Sequence, residues 1–168
     1  MKRYLLLFTL FCGMIFCGCK KSEYKSDKQY RVEFHLAEPV YSPTYNDKPP
    51  VGYSKLTDSE GRTLFVKDNP EMITGMLDST RAYRNEFGDT RIAIDFNAED
   101  AKKFAEITSK NVGRQLAIII NCKLYCAPYI REPITGGKVE ISGKFTLKEA
   151  EELAGAMYKK PERFLSCM

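Results

Sequence analysis

The chain has 168 residues, of which 29% are charged, and its net charge at pH 7 is only +4. This balance provides neither the basic footprint that nucleic acid requires nor a polybasic membrane patch. The length suits one domain with its own core, and the single histidine excludes a zinc site built from several histidines.

The first eighteen residues are typical of a bacterial lipoprotein signal peptide. A charged start at Met1-Lys2-Arg3 precedes an apolar run over residues 5–16, and Gly18-Cys19 resembles the lipobox. The run is shorter than the roughly 20 residues that a membrane-spanning helix needs. We expect Cys19 to be lipidated; an ordinary secretory signal and an uncleaved anchor are the alternatives.

The domain boundaries follow from this interpretation. Residues 1–18 would be the signal peptide, the polar residues 19–29 a tether, and residues 30–168 the folded domain. Loss of Lys2 and Arg3 lowers the basic count from 26 to 24 against 22 acidic residues, which leaves a mature charge of +2. We expect a lipid-anchored protein of the cell envelope that faces away from the cytoplasm.

The first predicted strand covers residues 30–37. Val32, Phe34 and Leu36 share one face, while His35 lies on the other face, where we expect it to meet solvent. A loop rich in proline and tyrosine follows over residues 39–50. Exposed aromatic residues on such a loop can bind partner chains, and the candidates are Tyr41, Tyr45 and Tyr53. The alternative is that these tyrosines pack back onto the sheet.

The next segment predicts a weak strand over 51–56, a turn over 58–61 and a strand over 63–67. Residues 72–87 fit either a strand or a short helix. Residues 90–96 predict another strand, since Ile92, Ile94 and Phe96 alternate on one side. Asn97 then caps a helix that ends near Asn111.

A hairpin, a glycine loop and a second helix follow. Residues 116–120 form an apolar run, Asn121-Cys122 suits a two-residue turn, and residues 123–130 predict the return strand. Gly136 and Gly137 mark a loop, and residues 138–142 predict a further strand that Gly143 ends. Thr146 and Glu149 then form a capping box at the start of the last helix. These elements indicate an α+β fold, with two helices on one face of a mostly antiparallel sheet.

This order of elements resembles the head of the first large periplasmic domain of SecD, a subunit of the bacterial protein translocase. The family pattern is a helix ending in Thr-x-x-Asn, an "AI…AP" hairpin, an "I-x-x-G…I-x-G-x-F" stretch and a helix rich in alanine and leucine. The matching segments are residues 104–111, 116–128, 134–145 and 150–157, and Gly136, Gly137 and Gly143 form the signature loop.

The resemblance implies a non-enzymatic binding module. SecD heads are thought to engage emerging polypeptide, while proton flow through membrane helices drives the cycle. This chain resembles the head alone, so we expect no proton-driven cycle from it. One hypothesis is a membrane-tethered module that engages polypeptide or a translocase or envelope partner. The alternative is a structural, subunit-like envelope lipoprotein that uses the fold for an unrelated contact.

Residues for catalysis or cofactor binding are few. His35 is the only histidine, and Cys122 and Cys126 lack a second cysteine pair for zinc. We therefore expect no cofactor and no enzyme activity. Hairpin geometry disfavours a bridge between Cys122 and Cys126. Either could pair with Cys167, but free thiols are the favoured interpretation.

Overall fold

The structure, a computed structural model, describes residues 30–40 and 48–158. Predictions for residues 1–29, for Tyr41 and Tyr45, and for Cys167 lie outside these ranges. Within them the chain forms nine strands and two helices. The elements are β1 (Val32–Pro39), β2 (Tyr53–Thr57), β3 (Thr63–Lys67), β4 (Met72–Ile73), β5 (Leu77–Arg84), β6 (Thr90–Phe96), α1 (Ala98–Lys110), β7 (Gln115–Ile120), β8 (Lys123–Cys126), β9 (Lys138–Ser142) and α2 (Leu147–Tyr158).

The strands are divided between two antiparallel sheets. The larger sheet has the order β2-β3-β1-β7-β8, and the short β4 also pairs with β1. The smaller sheet has the order β5-β6-β9. The predicted α+β class, with antiparallel strands and two helices, is confirmed; the division into two sheets is a feature that periodicity does not reveal. No helix of the described residues is long and apolar enough to cross a bilayer.

The main core lies between the two sheets and the helices. Three phenylalanines meet at its centre: the ring centroids of Phe34 and Phe104 are 4.9 Å apart, and those of Phe96 and Phe104 are 5.0 Å apart. Each such pair contributes about 0.5–1.5 kcal/mol beyond area burial. The alternation predicted for β6 is confirmed, because Ile92, Ile94 and Phe96 are buried.

The first strand is more deeply buried than the sequence suggested. All six residues from Val32 to Ala37 are buried, and His35 is completely inaccessible to solvent. The prediction of a half-buried strand with an exposed His35 was therefore wrong. The cause is a second apolar cluster on the other face of the larger sheet, which includes Ala37, Val66, Ala117 and Ile119. The alternation along β1 is real, but it does not reveal that the polar face of this central strand is covered as well.

Local sequence signals set the ends of the helices. The Asn97 side chain accepts a hydrogen bond from the Asp100 backbone N–H at 2.9 Å, which caps α1. The capping box of α2 is present: the Thr146 backbone N–H donates to Glu149 at 2.8 Å, and the Glu149 N–H donates to Thr146 Oγ1 at 3.2 Å. Asp100, which is buried, also accepts from the Gly75 N–H at 2.8 Å and so fixes α1 to the loop before β5.

The β7–β8 hairpin has the predicted two-residue turn. Asn121 and Cys122 both have positive φ, at 49° and 61°, as expected for a type I′ turn. The regular return strand ends at Cys126, earlier than the predicted residue 130. Irregular pairing continues beyond it, because the Leu116 N–H donates to the Pro128 carbonyl at 2.9 Å and the Ile130 N–H donates to the Arg114 carbonyl at 2.9 Å.

Candidate functional site

The signature glycine loop lies against α1, and its geometry is set by Gly137. This residue has φ of +64°, and a Cβ atom built on it would lie 2.9 Å from the Ala101 Cβ. The Gly137 carbonyl accepts a hydrogen bond from the Phe96 N–H at 2.8 Å, which continues the β6–β9 ladder. Gly136, by contrast, has open space around it. Gly137 therefore has a sufficient structural reason to lack a side chain.

Gly143 makes room for an aromatic ring. A Cβ atom there would lie 2.9 Å from the Phe145 ring and 3.1 Å from Ser59 Oγ. That hydroxyl donates to the Tyr125 carbonyl at 2.8 Å, so the turn before β3 is tied to β8. The Phe145 and Tyr125 rings are 5.5 Å apart. Gly143 thus allows Phe145 to fold back onto β8.

These two rings form part of an aromatic pocket of about 190 Å³ beside α2. Tyr30 and Leu153 complete its apolar wall. Charged groups surround it, and the Lys123 ammonium lies 5.1 Å from the centre of the Tyr125 ring. Burial raises the pKa of Tyr125, so its hydroxyl stays neutral. Sequence reasoning missed this pocket. The only available signal was the aromatic residue at the end of the Gly-x-Phe motif.

The candidate partner tyrosines are described only at Tyr53. This residue is half-buried and interacts with Arg114, which also forms an ion pair with Glu38 at 2.9 Å. Partial burial lowers the pKa of Arg114, but the hydrogen bonds with Glu38 and Tyr53 outweigh it and raise the pKa. Tyr53 is thus held against the sheet, as the packing alternative expects. Its role as a partner contact stays a prediction.

The buried His35 lies beneath a cavity of about 200 Å³ on the second face of the larger sheet. Its Nδ1 atom is 2.7 Å from the Lys67 carbonyl oxygen, and its Nε2 atom is 3.3 Å from Glu33 Oε2. Leu56, Val66 and Ile119 supply apolar walls. The ring therefore joins β1 to β3 from inside the protein, which is a structural role.

The same cavity is lined by Cys122, so the fold brings together two residues that sequence reasoning treated separately. Cys122 is disulfide-bonded, and its partner is not among the described residues. The expected free thiol is therefore wrong for Cys122. A disulfide sulfur is not a thiolate nucleophile, so this cavity does not contain a Cys–His catalytic pair.

Cys126 is free, as expected, and buried. It belongs to the main core, on the face of the sheet opposite His35. Burial raises the pKa of the Cys126 thiol, although hydrogen bonds from Ser142 partly oppose the effect. A buried, protonated thiol is chemically inert, and here it connects β8 to β9.

The described residues offer little for cofactor or metal chemistry. No cluster of three or more His, Cys, Asp or Glu residues in residues 30–40 and 48–158 could hold a metal ion. The aromatic pocket and the His35 cavity are about 190 and 200 Å³, smaller than the roughly 300–1,000 Å³ of ordinary small-molecule sites. Two wider surface depressions, of about 510 and 430 Å³, are lined mostly by polar and charged residues. The two smaller cavities can take single side chains of a bound polypeptide.

Comparison with known proteins places the fold in a family. Residues 51–159 match the family described as SecDF, P1 head subdomain. SecD, a protein translocase subunit of Acidaminococcus fermentans, is 37% identical over 133 residues, which cover 73% of this chain and 32% of that protein. SecDF of Thermus thermophilus is 42% identical over 86 residues, which cover 51% of this chain and 12% of that protein.

Solved structures agree with this placement. A structure of SecDF, described as a membrane component that enhances protein export, is 28% identical with a TM-score of 0.58, and the match covers 79% of this chain and 63% of that chain. A crystal structure of SecDF in a super-membrane-facing form is 26% identical with a TM-score of 0.59. The match covers 79% of this chain and 19% of that chain. This chain spans about a third or less of the length of the two curated relatives.

Proposed function

The chain belongs to the SecDF P1 head family, and from this membership we propose that it is a non-enzymatic module outside the cytoplasm that binds unfolded polypeptide in association with the protein translocase. We further propose that a lipid on Cys19 holds it at the membrane of the cell envelope. Whole SecD and SecDF proteins are translocase subunits by name. This chain matches the head portion of such proteins.

The observation that carries the proposal is the extent of the family match. It runs from residue 51, before β2, to residue 159, after α2, and so includes both helices and strands of both sheets. The four motifs that suggested the family lie on elements that pack together: α1 on the glycine loop, the hairpin in the larger sheet, and α2 on the smaller sheet. The matched segments therefore fold together as one unit.

The geometry supports binding rather than catalysis. His35 and Cys126 lie on opposite faces of one sheet, and Cys122 is disulfide-bonded. The aromatic pocket next to α2 suits a single apolar side chain with a polar or charged neighbour, because charged residues surround its rings. A surface with small pockets of this kind fits an extended chain better than a compact substrate.

The proposal is tested by equilibrium binding of the full chain in detergent. The probe is reduced, carboxymethylated α-lactalbumin, which cannot refold, and the control is the same protein in its folded form. We expect binding of the unfolded probe alone. Replacing Tyr41 and Tyr45 with serine should weaken that binding and leave the melting temperature nearly unchanged. The matched control is Tyr158→Ser, since Tyr158 is exposed at the far end of α2.

Failure of the unfolded probe to bind would contradict polypeptide engagement and favour the structural alternative, in which the fold contacts only a fixed envelope partner. Turnover of a substrate that depended on His35 or a cysteine would contradict the non-enzymatic proposal. A large loss of stability in the tyrosine variant would show that these side chains pack on the sheet and would remove the loop as a binding surface.

A further inference from the structure

The outer edge of β5 is an open strand edge. Two hydrogen bonds determine which backbone N–H and C=O groups of β5 face outward. At the hairpin end, the Asn85 N–H donates to the Asp89 carbonyl at 3.0 Å. On the other side of β6, the Phe96 N–H donates to the Gly137 carbonyl, away from β5. Bonded and non-bonded pairs alternate in an antiparallel ladder. In the register that pairs Tyr83 with Arg91, odd-numbered residues of β5 therefore bond to β6.

The even-numbered residues of β5 consequently point their backbone groups away from the sheet. These residues are Thr80, Ala82 and Arg84. No backbone hydrogen bond from them to another element is present among residues 30–40 and 48–158. Three N–H and three C=O groups thus form a row that matches the donor and acceptor spacing of one extended chain.

The other edges are shorter or partly closed. In β2, which has five residues, the Tyr53 N–H is already bonded to Pro50. In β9, also five residues long, Ser142 is hydrogen-bonded to the Cys126 thiol. β5 has eight residues, and after the bulge between Leu77 and Ser79 its pairing is regular from Ser79 to Arg84. Its edge is therefore longer than the edges of β2 and β9.

The surroundings of this edge select the charge of an occupant. Arg81 and Arg84 are exposed on β5, and neither has a carboxylate within 4.0 Å in the described ranges. The Arg81 guanidinium lies over the Tyr83 ring at 5.5 Å. Lys144 lines the same surface depression as Arg84, near the β5–β6 turn. Two carboxylates also line it, but Asp89 is paired with Arg91 and Glu60 with Arg62. An incoming chain with acidic side chains would place them beside these cations.

Helix α2 covers one face of the smaller sheet next to this edge. α2 lies against β5, and the Thr80 hydroxyl donates to the Ala154 carbonyl of α2 at 2.7 Å. A strand added beside β5 would therefore have a helix under one face and the exposed polar face of the smaller sheet on the other. On the polar face, the Tyr83 hydroxyl donates to Glu140 at 2.5 Å, which links β5 to β9 across β6.

We propose that the outer edge of β5 binds an extended, acidic segment of unfolded polypeptide as an added β-strand, through the backbone groups of Thr80, Ala82 and Arg84. This inference rests on the proposed function and specifies its binding mode. Affinity comes from main-chain hydrogen bonds that any sequence can make, and preference comes from the arginines. Such a mode suits a module that must hold many different chains.

Residue-resolved amide hydrogen exchange on the full chain tests this mode. In the free protein, we expect the Ala82 and Arg84 amides to exchange quickly, while the Arg81 and Tyr83 amides are protected by β6. Saturating reduced, carboxymethylated α-lactalbumin should slow exchange at Ala82 and Arg84 at least tenfold. Bound probe without such slowing would overturn the edge proposal and leave polypeptide binding intact. No binding of the probe would overturn both.

The dependence of amide exchange on protein concentration shows whether the β5 edge pairs with a second copy of this chain instead of with unfolded polypeptide. If the Ala82 and Arg84 amides become protected in the absence of probe as the protein concentration rises, the edge pairs with itself, and the proposal is overturned. A basic unfolded probe, reduced and carbamidomethylated lysozyme, should bind at least fivefold more weakly than the acidic probe. Equal affinities would refute the acidic preference.

Ala82→Pro provides a genetic test. Proline removes the outward N–H and leaves the β5–β6 bonds in place, so we expect at least tenfold weaker probe binding. The matched control is Ala82→Val, which keeps the N–H on the same half-buried position and should bind normally. Equal binding by the folded proline variant would contradict the proposal. If that variant does not fold, the exchange measurement on the unaltered protein still decides.

Discussion

Replacement of Gly137 by alanine should destabilise the fold through two separable costs. The residue has φ of +64°, and an L side chain in that region costs roughly 1–2 kcal/mol. The new Cβ would also lie 2.9 Å from the Ala101 Cβ, whereas carbon atoms in contact are normally about 3.5–4.0 Å apart. Such overpacking typically costs about 1–3 kcal/mol. Together we expect a loss of about 2–5 kcal/mol, measured as a lower midpoint of urea denaturation.

Two control variants separate the costs. Gly113 has φ of +86°, and a Cβ atom added there would have nothing within 4 Å, so Gly113→Ala should cost only the backbone component, about 1–2 kcal/mol. Gly136 has neither positive φ nor a close neighbour, and Gly136→Ala should change stability by about 0.5 kcal/mol or less. In a double-mutant cycle, Ala101→Gly should cost less in the presence of Gly137→Ala than alone, since it removes the contacting carbon.

Equal losses for Gly137→Ala and Gly113→Ala, with no coupling to Ala101, would refute the claim that the glycine loop is packed on α1. Unchanged stability of the Gly137 variant together with lost probe binding would reverse the interpretation. The glycine loop would then be a binding loop rather than a structural turn.

Three further predictions concern the core, a cysteine and the anchor. Ile119→Ala should lower the free energy of unfolding by about 2–5 kcal/mol, because Ile119 is only 6% exposed. The control Ile73→Ala, at a position 41% exposed, should lower it much less. Equal denaturation midpoints for the two variants would show that Ile119 is not packed. The Cys126 thiol should resist a maleimide in the native protein and react after unfolding, because burial raises its pKa above the ordinary 9.0; rapid native labelling would contradict its burial. Because the pKa of Cys126 is higher in the folded than in the unfolded state, the unfolded state loses the thiol proton first as the pH rises. The contribution of the buried thiol to the free energy of unfolding is therefore present below pH 9 and declines above it. A fatty-acid analogue should label the wild-type protein and not Cys19→Ala, and a labelled variant would refute lipidation at Cys19.

The sequence predicted those elements whose signals are local. The limits of β3, β6 and β9 match the prediction because turn residues bound all three. Apolar residues also alternate within β6 and β9, whereas β3 is a short apolar run. Both helix starts were predicted by Asn97 and Thr146, whose side chains make the capping bonds themselves. The positive φ at Asn121 and Cys122 likewise follows from a two-residue turn between apolar runs.

What the sequence did not predict depends on contacts between distant segments. The burial of His35 required a second covered face of the larger sheet, and alternation along β1 alone cannot show whether the polar face is covered. The segment over residues 72–87 divides into β4 and β5 in different sheets, a break that its mixed pattern did not reveal. The aromatic pocket combines Tyr30, Tyr125 and Phe145 from three parts of the chain. No spacing in the sequence connects them.

Site-specific photo-crosslinking in cells tests the central claim most directly. A photoreactive amino acid at position 45, in the proline- and tyrosine-rich loop, would be activated while a radiolabelled secretory protein is halted midway through export. We predict a crosslink to the halted chain that requires an active translocase and does not form with the same secretory protein after folding. Crosslinks to a fixed envelope protein alone, unchanged when export is stopped, would contradict a role in engaging exported polypeptide.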